Sequence, residues 1–217
     1  TSGFKMASER FANSGGVSAS IFLDDNNNGI RDENESVVEG AKVAAVQARK
    51  NGKTDKNGEV FFPGLPVDRR TDVELDMGSL SDPFLISTKP GYSFVPRPGL
   101  VEKLEIPLVT SGEVEGTVYL TSKNGTFTRE AGHVPMELVS IKNRKTYTTA
   151  SAFDGYYLFT QVPPGRYLLA VNRKYLEKRN LTVQKPMPVL VEVAGDGSVV
   201  MGMDVMLFTK NNAYAEN

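Results

Sequence analysis

Asp24, Asn26, Asn28, Ile30, Asp32 and Glu35 are spaced so that one short loop could surround a hard cation with oxygen. The run Asp24-Asp25-Asn26-Asn27-Asn28-Gly29-Ile30-Arg31-Asp32-Glu33-Asn34-Glu35 fits the calcium-loop pattern D-x-[DN]-x-[DN]-G-x5-E without a mismatch. Asp24, Asn26 and Asn28 bring side-chain oxygens to the first half of the loop, and Gly29 permits the sharp turn. Ile30 offers a backbone carbonyl, Asp32 follows, and Glu35 can close the shell with both oxygens. Calcium is the predicted cofactor, because it takes six to eight oxygen ligands and this loop supplies them almost alone. Asp24, Asp32 and Glu35 carry the formal charge of that shell, while Asp25 and Glu33 add negative potential nearby. The expected affinity lies toward the ~0.1–1 mM range of extracellular modules. The plainer alternative is a solvated turn, since turns favour Asn and Asp for conformational reasons alone.

A strand should lead into this loop. From Val17 to Leu23, Val17, Ala19, Ile21 and Leu23 alternate onto one face. An EF-hand would need a helix there. Beyond Gly40, residues 41–48 read as a strand marked by Val43 and Val46, and Asp55-Lys56-Asn57-Gly58 reads as a turn. Val60-Phe61-Phe62 follows, punctuated by Pro63-Gly64-Leu65-Pro66. Val73 and Leu75 share a face within 71–76, and 77–83 reads as turn or one short helical turn. Strands are expected at 92–95 and through Leu104, Ile106 and Leu108.

The pattern then starts again. Val114, Gly116, Val118 and Leu120 match residues 17–23, and Asp154 to Pro163 matches Asn57 to Pro66 in register. Residues 173–180 suit a short helix. A strand at 189–193 and the alternation of Val199, Met201, Met203, Val205 and Leu207 complete the copy. Where the first copy has its acidic loop, the second has Leu120-Thr121-Ser122-Lys123-Asn124-Gly125-Thr126, which lacks carboxylates and should bind no calcium. Short strands punctuated by Gly and Pro predict an all-β protein of two tandem antiparallel β-sandwich domains, prealbumin-like or immunoglobulin-like. The expected boundaries are an arm or linker at 1–14, a calcium-loop sandwich at 15–109, a second sandwich at 110–208 and a tail at 209–217. The short connection Val109-Thr110-Ser111-Gly112 predicts a fairly rigid, end-to-end pair.

Ile21 to Glu35, continued by Val38-Glu39-Gly40-Ala41-Lys42-Val43, resembles the B-repeats of serine–aspartate-repeat surface adhesins. Gly116-Thr117-Val118-Tyr119, Asp154 to Phe159 and Val162-Pro163-Pro164-Gly165-Arg166-Tyr167 are similar to carboxypeptidase-regulatory-like, or prealbumin-like, domains. The junction Gly112 to Gly116 is similar to the ends of outer-membrane, usher-like bacterial proteins. These resemblances imply seven-stranded sandwiches that stiffen exported proteins or hold domains apart, and they imply little about a ligand. Related B-type domains often carry a Lys–Asn isopeptide bond with the Lys on the first strand. Neither Val17–Leu23 nor Val114–Leu120 contains Lys, so no such crosslink is expected; an intact mass short by one ammonia would contradict this.

Other chemistry finds little support. A net charge of −1 implies no large basic surface for nucleic acid. Cysteine is absent, which removes disulfides and thiolate metal sites. His133 is the one histidine, no nucleophile elbow surrounds any Ser, and the acids gather in a loop suited to a metal, so no enzyme is expected. Met201, Met203 and Met206 should fill core and edge. Tyr156 and Tyr157 should face opposite ways, and Arg69-Arg70 and Lys142–Lys145 read as solvated loops. No apolar run is long enough to span a membrane. Thr1-Ser2-Gly3 carries no initiating Met or signal pattern, which suggests a piece of a longer chain.

The sequence therefore predicts monomeric, non-catalytic spacer modules of a bacterial surface or envelope protein, placed outside the cell or in the periplasm. Their partners would be neighbouring domains of the same chain, with a host or matrix protein or a glycan as further candidates. The alternatives are an adhesin or carbohydrate-binding module, or an accessory domain of a secreted enzyme.

Overall fold

The computed structural model describes residues 13–89, 91–121, 128–183, 186–192 and 197–210. Contacts divide the chain into two units, Thr1–Val109 and Thr110–Asn217. Residues 1–12 of the arm expected at 1–14, and residues 211–217 of the expected tail, lie outside the described residues; Ser14 already belongs to the first strand.

In the first unit the strands are β1 (Ser14–Leu23), β2 (Lys42–Ala45), β3 (Lys50–Lys53), β4 (Glu59–Pro66), β5 (Thr71–Leu75), β6 (Leu85–Ser87), β7 (Tyr92–Phe94) and β8 (Val101–Thr110). They form two four-stranded sheets, ordered β4-β1-β8-β6 and β3-β2-β5-β7. Val17, Ala19 and Ile21 of β1, Val60, Phe62 and Leu65 of β4, and Leu104, Ile106 and Leu108 of β8 pack against Val43, Ala45 and Val73 of the facing sheet. The period-two alternation read from the sequence is this core. Each fully buried side chain of this size contributes about 1.5–3 kcal/mol of transfer free energy.

In the second unit the strands are β9 (Gly112–Thr121), β10 (Thr128–Glu130), β11 (Pro135–Ser140), β12 (Thr146–Ala150), β13 (Tyr156–Val162), β14 (Gly165–Val171), β15 (Leu181–Val183), β16 (Met187–Val191), β17 (Val199–Val200) and β18 (Val205–Thr209). One sheet is centred on β9, with β13 and β10 along one edge and β17 and β18 along the other. The second sheet runs β12-β11-β14-β16. Tyr157, Phe159, Val118 and Leu207 face Met136, Leu138, Leu169 and Val189 across this core. The helix α1 (Arg173–Lys178) is capped by Asn172, whose side chain accepts from Tyr175 N. Tyr167 donates its hydroxyl to the Pro163 carbonyl at 2.7 Å, a tyrosine-corner contact that fixes the turn into β14.

Both units are all-β sandwiches, with four corrections to the expected detail. Most pairings are antiparallel, but β1 runs parallel to β8, and β9 runs parallel to β17 and β18. Hydrophobic alternation reports which face is buried and is blind to strand direction. The strand expected over 41–48 is shorter: β2 ends at Ala45, and Val46 begins the turn that reaches β3 and is exposed. Pro63 to Pro66 does not end β4. It lies opposite a register shift between Gly15 and Val17, a bulge that keeps Leu65 fully buried. The stretch from Val199 to Leu207 is two strands, interrupted around Gly202, whose φ is +70°. Met203 packs on the core and Met201 is exposed.

The buried tyrosines make a pH-dependent prediction. Burial pushes the Tyr157 phenol far above the usual tyrosine range, and the nearby Asp204 carboxylate adds to the shift. Burial does the same to Tyr167, reinforced by Tyr147. Below pH ~10 both phenols are neutral in folded and unfolded chains, so their contribution is fully present. Above it the unfolded chain releases protons that the folded unit retains, and stability falls. The second unit should unfold progressively above pH ~10. Phenolate absorbance followed against pH should show Tyr157 and Tyr167 ionising only with the loss of far-UV strand signal. A Tyr157→Phe, Tyr167→Phe variant should lose that coupling.

Candidate metal centre

The loop from Asp24 to Glu35 is closed by main-chain bonds at both ends. Asp24 N donates to Leu108 O at 2.8 Å, and Leu23 N to Ser36 O at 2.8 Å. Val38 N donates to Ile21 O at 3.0 Å, and Phe22 bridges Val37 antiparallel. Residues 36–38 thus take up the edge of β1 where β4 ends. This return segment was not read from the sequence. Its signal was Val37-Val38, directly after the last acid of the loop.

Inside the loop, carboxylates gather backbone donors. Asp24 Oδ1 accepts from Asn28 N at 2.9 Å and Oδ2 from Gly29 N at 2.8 Å. Glu35 Oε1 accepts from Asp25 N at 3.1 Å and Oε2 from Asp32 N at 3.0 Å. Asn26 Oδ1 accepts from Asn28 N at 3.0 Å and Asn28 Oδ1 from Ile30 N at 2.7 Å, consecutive Asx turns. The amide groups of Asn26 and Asn28 both donate to Asp32 Oδ2, at 2.7 and 3.0 Å. Gly29 has φ +80° and Asn27 φ +56°, so the tight turn passes through the left-handed region at two points.

Asn26, Asn28 and Asp32 therefore meet directly. Asp24 and Glu35 join them through the main chain. Ile30 has an exposed side chain, and its proposed role involves only the backbone. Among the described residues no cluster of three His, Cys, Asp or Glu stands ready to hold a metal. The donor set here is of another kind, mixing carboxylates with amide and backbone oxygens, which is the hard-oxygen chemistry calcium prefers.

Burial sets this loop apart from a solvated turn. Asp24 is 2% exposed and Glu35 7%. Ionised carboxylates are almost never so buried without a cationic partner. Among the described residues none of Asp24, Asp32 and Glu35 forms an ion pair. Arg31, the one cationic side chain in the loop, donates to Ser20 Oγ at 3.2 Å instead. Charge-assisted bonds from N–H groups offset part of the desolvation cost. The residues fit a calcium ion by donor type and by this uncompensated charge.

Of the other candidate groups, His133 is exposed in a turn at φ +58°. Tyr157 is buried, and Tyr156 lies on the opposite face. The counterpart of the acidic loop in the second unit falls mostly at 122–127, outside the described residues. Arg70 and Ser93 tie to Asp72, holding its carboxyl below the usual range through the Ser93 and Gln47 hydrogen bonds first and the Arg70 charge after them.

No family model and no curated protein matches the sequence. Several solved structures resemble the fold. The minor pilin GBS52 of Streptococcus agalactiae is 11% identical with a TM-score of 0.45, covering 94% of this chain and all of that one. The TIE protein of Bacillus anthracis is 13% identical with a TM-score of 0.36, covering 91% of this chain and 34% of that one. The shaft pilin SpaA of Lactobacillus rhamnosus GG is 8% identical with a TM-score of 0.35, covering 91% of this chain and 98% of that one. This chain thus spans about a third of the Bacillus anthracis protein it resembles. Likenesses this distant assign no function.

Proposed function

We propose that the chain is a pair of non-catalytic structural modules from an exported bacterial surface or envelope protein, and that calcium held at residues 24–35 stiffens the first. The observation that carries this reading is the pair of buried carboxylates, Asp24 and Glu35, folded into an oxygen-rich loop with no side-chain cation to balance them. Asp24, Asn26, Asn28, the Ile30 carbonyl, Asp32 and Glu35 would hold the ion. When bound, calcium supplies positive charge and a common point of attachment. The chain's own contribution is to anchor that point to β8 through Leu108 and to β1 through residues 36–38.

The two units read as copies of one module. β1 and β9 each have an antiparallel partner with a bulge on one edge, β4 or β13, and a parallel partner on the other, β8 or β18. Only the first copy has the acidic loop, so calcium would serve as a staple and not as a requirement of the fold. Partners would be further domains of the same chain. Among the described residues no helix is long and apolar enough to cross a membrane.

Ligand linkage sets the size of the test. At a hundredfold excess of calcium over its Kd the first unit gains about 2.7 kcal/mol. In a unit of this size that raises its melting midpoint by roughly 10–20 °C. For a Kd of ~0.1–1 mM that excess is ~10–100 mM, so melts at such calcium concentrations and in chelator should differ for the first transition and coincide for the second. Coincidence of both would refute the staple.

A further inference from the structure

The outward face of the β9 sheet carries charge and apolar surface that its own unit does not cover. Glu113 and Glu115 alternate with core residues along β9. Leu158 stands across from Glu115, and Val199 across from Glu113. Tyr156 donates its hydroxyl to Glu115 Oε2, while Val199 and Met201 are 57% and 69% exposed. Among the described residues neither glutamate forms an ion pair.

The other sheet of the same unit ends in a surface of the opposite kind. The turn joining β11 to β12 is Ile141-Lys142-Asn143-Arg144-Lys145, and Arg166 lies beside it on β14. Its shape is fixed. Ser140 N donates to Lys145 O at 2.9 Å, Arg144 N to Ser140 O at 3.0 Å, and Ile141 N to Arg166 O at 2.9 Å. Lys145 N donates to Asn143 Oδ1 at 3.0 Å, and the Lys145 ammonium lies 4.9 Å from the Tyr147 ring. Ile141 is 51% exposed, and so is half of Leu190, which stands across from Arg166. Among the described residues none of the four cations is ion-paired. Glu192, two residues beyond Leu190, leaves the group basic on balance.

We propose that these surfaces are two halves of one interface, in which the 141–145 hairpin of a second copy of this chain docks on the Glu113–Glu115 face. Ile141 would sit among Leu158, Val199 and Met201, with Lys142 and Arg144 meeting the two glutamates. The halves lie on opposite sheets of one sandwich, so a single unit cannot close the contact on itself. The contact is heterologous and would join copies head to tail. It is independent of the calcium loop.

Sedimentation of the whole chain tests this at rising protein concentration. Self-association is expected at low salt and should weaken on the order of tenfold or more as salt approaches ~1 M, where the screening length falls to about 3 Å. Glu113→Lys with Glu115→Lys should be monomeric, and so should Lys142→Glu with Arg144→Glu. Mixed one to one, the two variants should associate again, because each then presents what the other lacks. Glu113→Gln with Glu115→Gln removes the charge without reversing it and should weaken association less than the Lys pair does, and an unchanged melt shows that each variant folds. A wild-type chain that stays monomeric to millimolar concentration at low salt would overturn the proposal. So would variants that associate as the wild type does, or a mixture that stays monomeric.

Discussion

Replacing Gly58 by Ala should destabilise the first unit by about 3 kcal/mol or more, with strain and collision acting together. Gly58 has φ +72°, a conformation that costs an L-residue roughly 1 kcal/mol. A Cβ there would also stand 2.6 Å from Ile21 O and 2.7 Å from the Val37 Cβ. Neither neighbour can yield freely. Ile21 O accepts from Val38 N at 3.0 Å, and Val37 is bridged to Phe22, so moving either opens the strand edge that closes the acidic loop. Gly40 is the internal control: its φ is +79°, but a Cβ there meets nothing within 4 Å. Gly40→Ala should therefore cost only the strain, about 1 kcal/mol. Denaturant unfolding of the two variants separates the terms, and equal losses would show that the contact with β1 contributes nothing. Gly155 repeats the device in the second unit, with φ +77° and a Cβ position 2.6 Å from Val118 O. Gly155→Ala should lower the second transition and spare the first.

The same turns show why some of the fold was legible and some was not. Asp55-Lys56-Asn57-Gly58 announces itself because the chemistry is local: Asp55 Oδ1 accepts from Asn57 N and Glu59 N, and Gly58 N returns to Asp55 O. The core faces of β1, β4 and β8 were legible because burial imposes alternation on a strand. β3 was not, since Lys50-Asn51-Gly52-Lys53 has no apolar face and exists by virtue of its register with Val43 and Ala44. β12, with its alternately exposed Thr-Tyr-Thr-Thr-Ala, is silent for the same reason. Parallel pairing of β1 with β8 joins strands some eighty residues apart, and nothing local in either encodes direction. In the loop, the oxygen-bearing residues could be listed from spacing. The burial of Asp24 and Glu35 could not, because it depends on β8 and on the return of residues 36–38.

Asp24→Ala should abolish the response to calcium and lower the calcium-free midpoint as well. Those two effects have different causes. Without metal, Asp24 accepts from Asn28 N and Gly29 N with its two oxygens, and alanine leaves both donors without that partner. Asn28 N keeps Asn26 Oδ1 as an acceptor, so Gly29 N is the donor left unmet, and the apo unit should lose roughly 1–3 kcal/mol. Glu35→Gln probes the other buried carboxylate more gently. It keeps one acceptor oxygen for the N–H groups of Asp25 and Asp32 while removing the charge. If the loop is a calcium staple, Glu35→Gln should sharply reduce the calcium-dependent rise in midpoint while the chelator midpoint moves by less than it does in Asp24→Ala. A loop held by hydrogen bonds alone gives the opposite pattern. Both variants would then lower the midpoint equally with and without calcium, and the wild type would show no calcium-dependent rise to lose. The buried, unpaired charge of Asp24 and Glu35 argues for the first outcome, because hydrogen bonds from neutral N–H groups orient a carboxylate but leave its net charge in place.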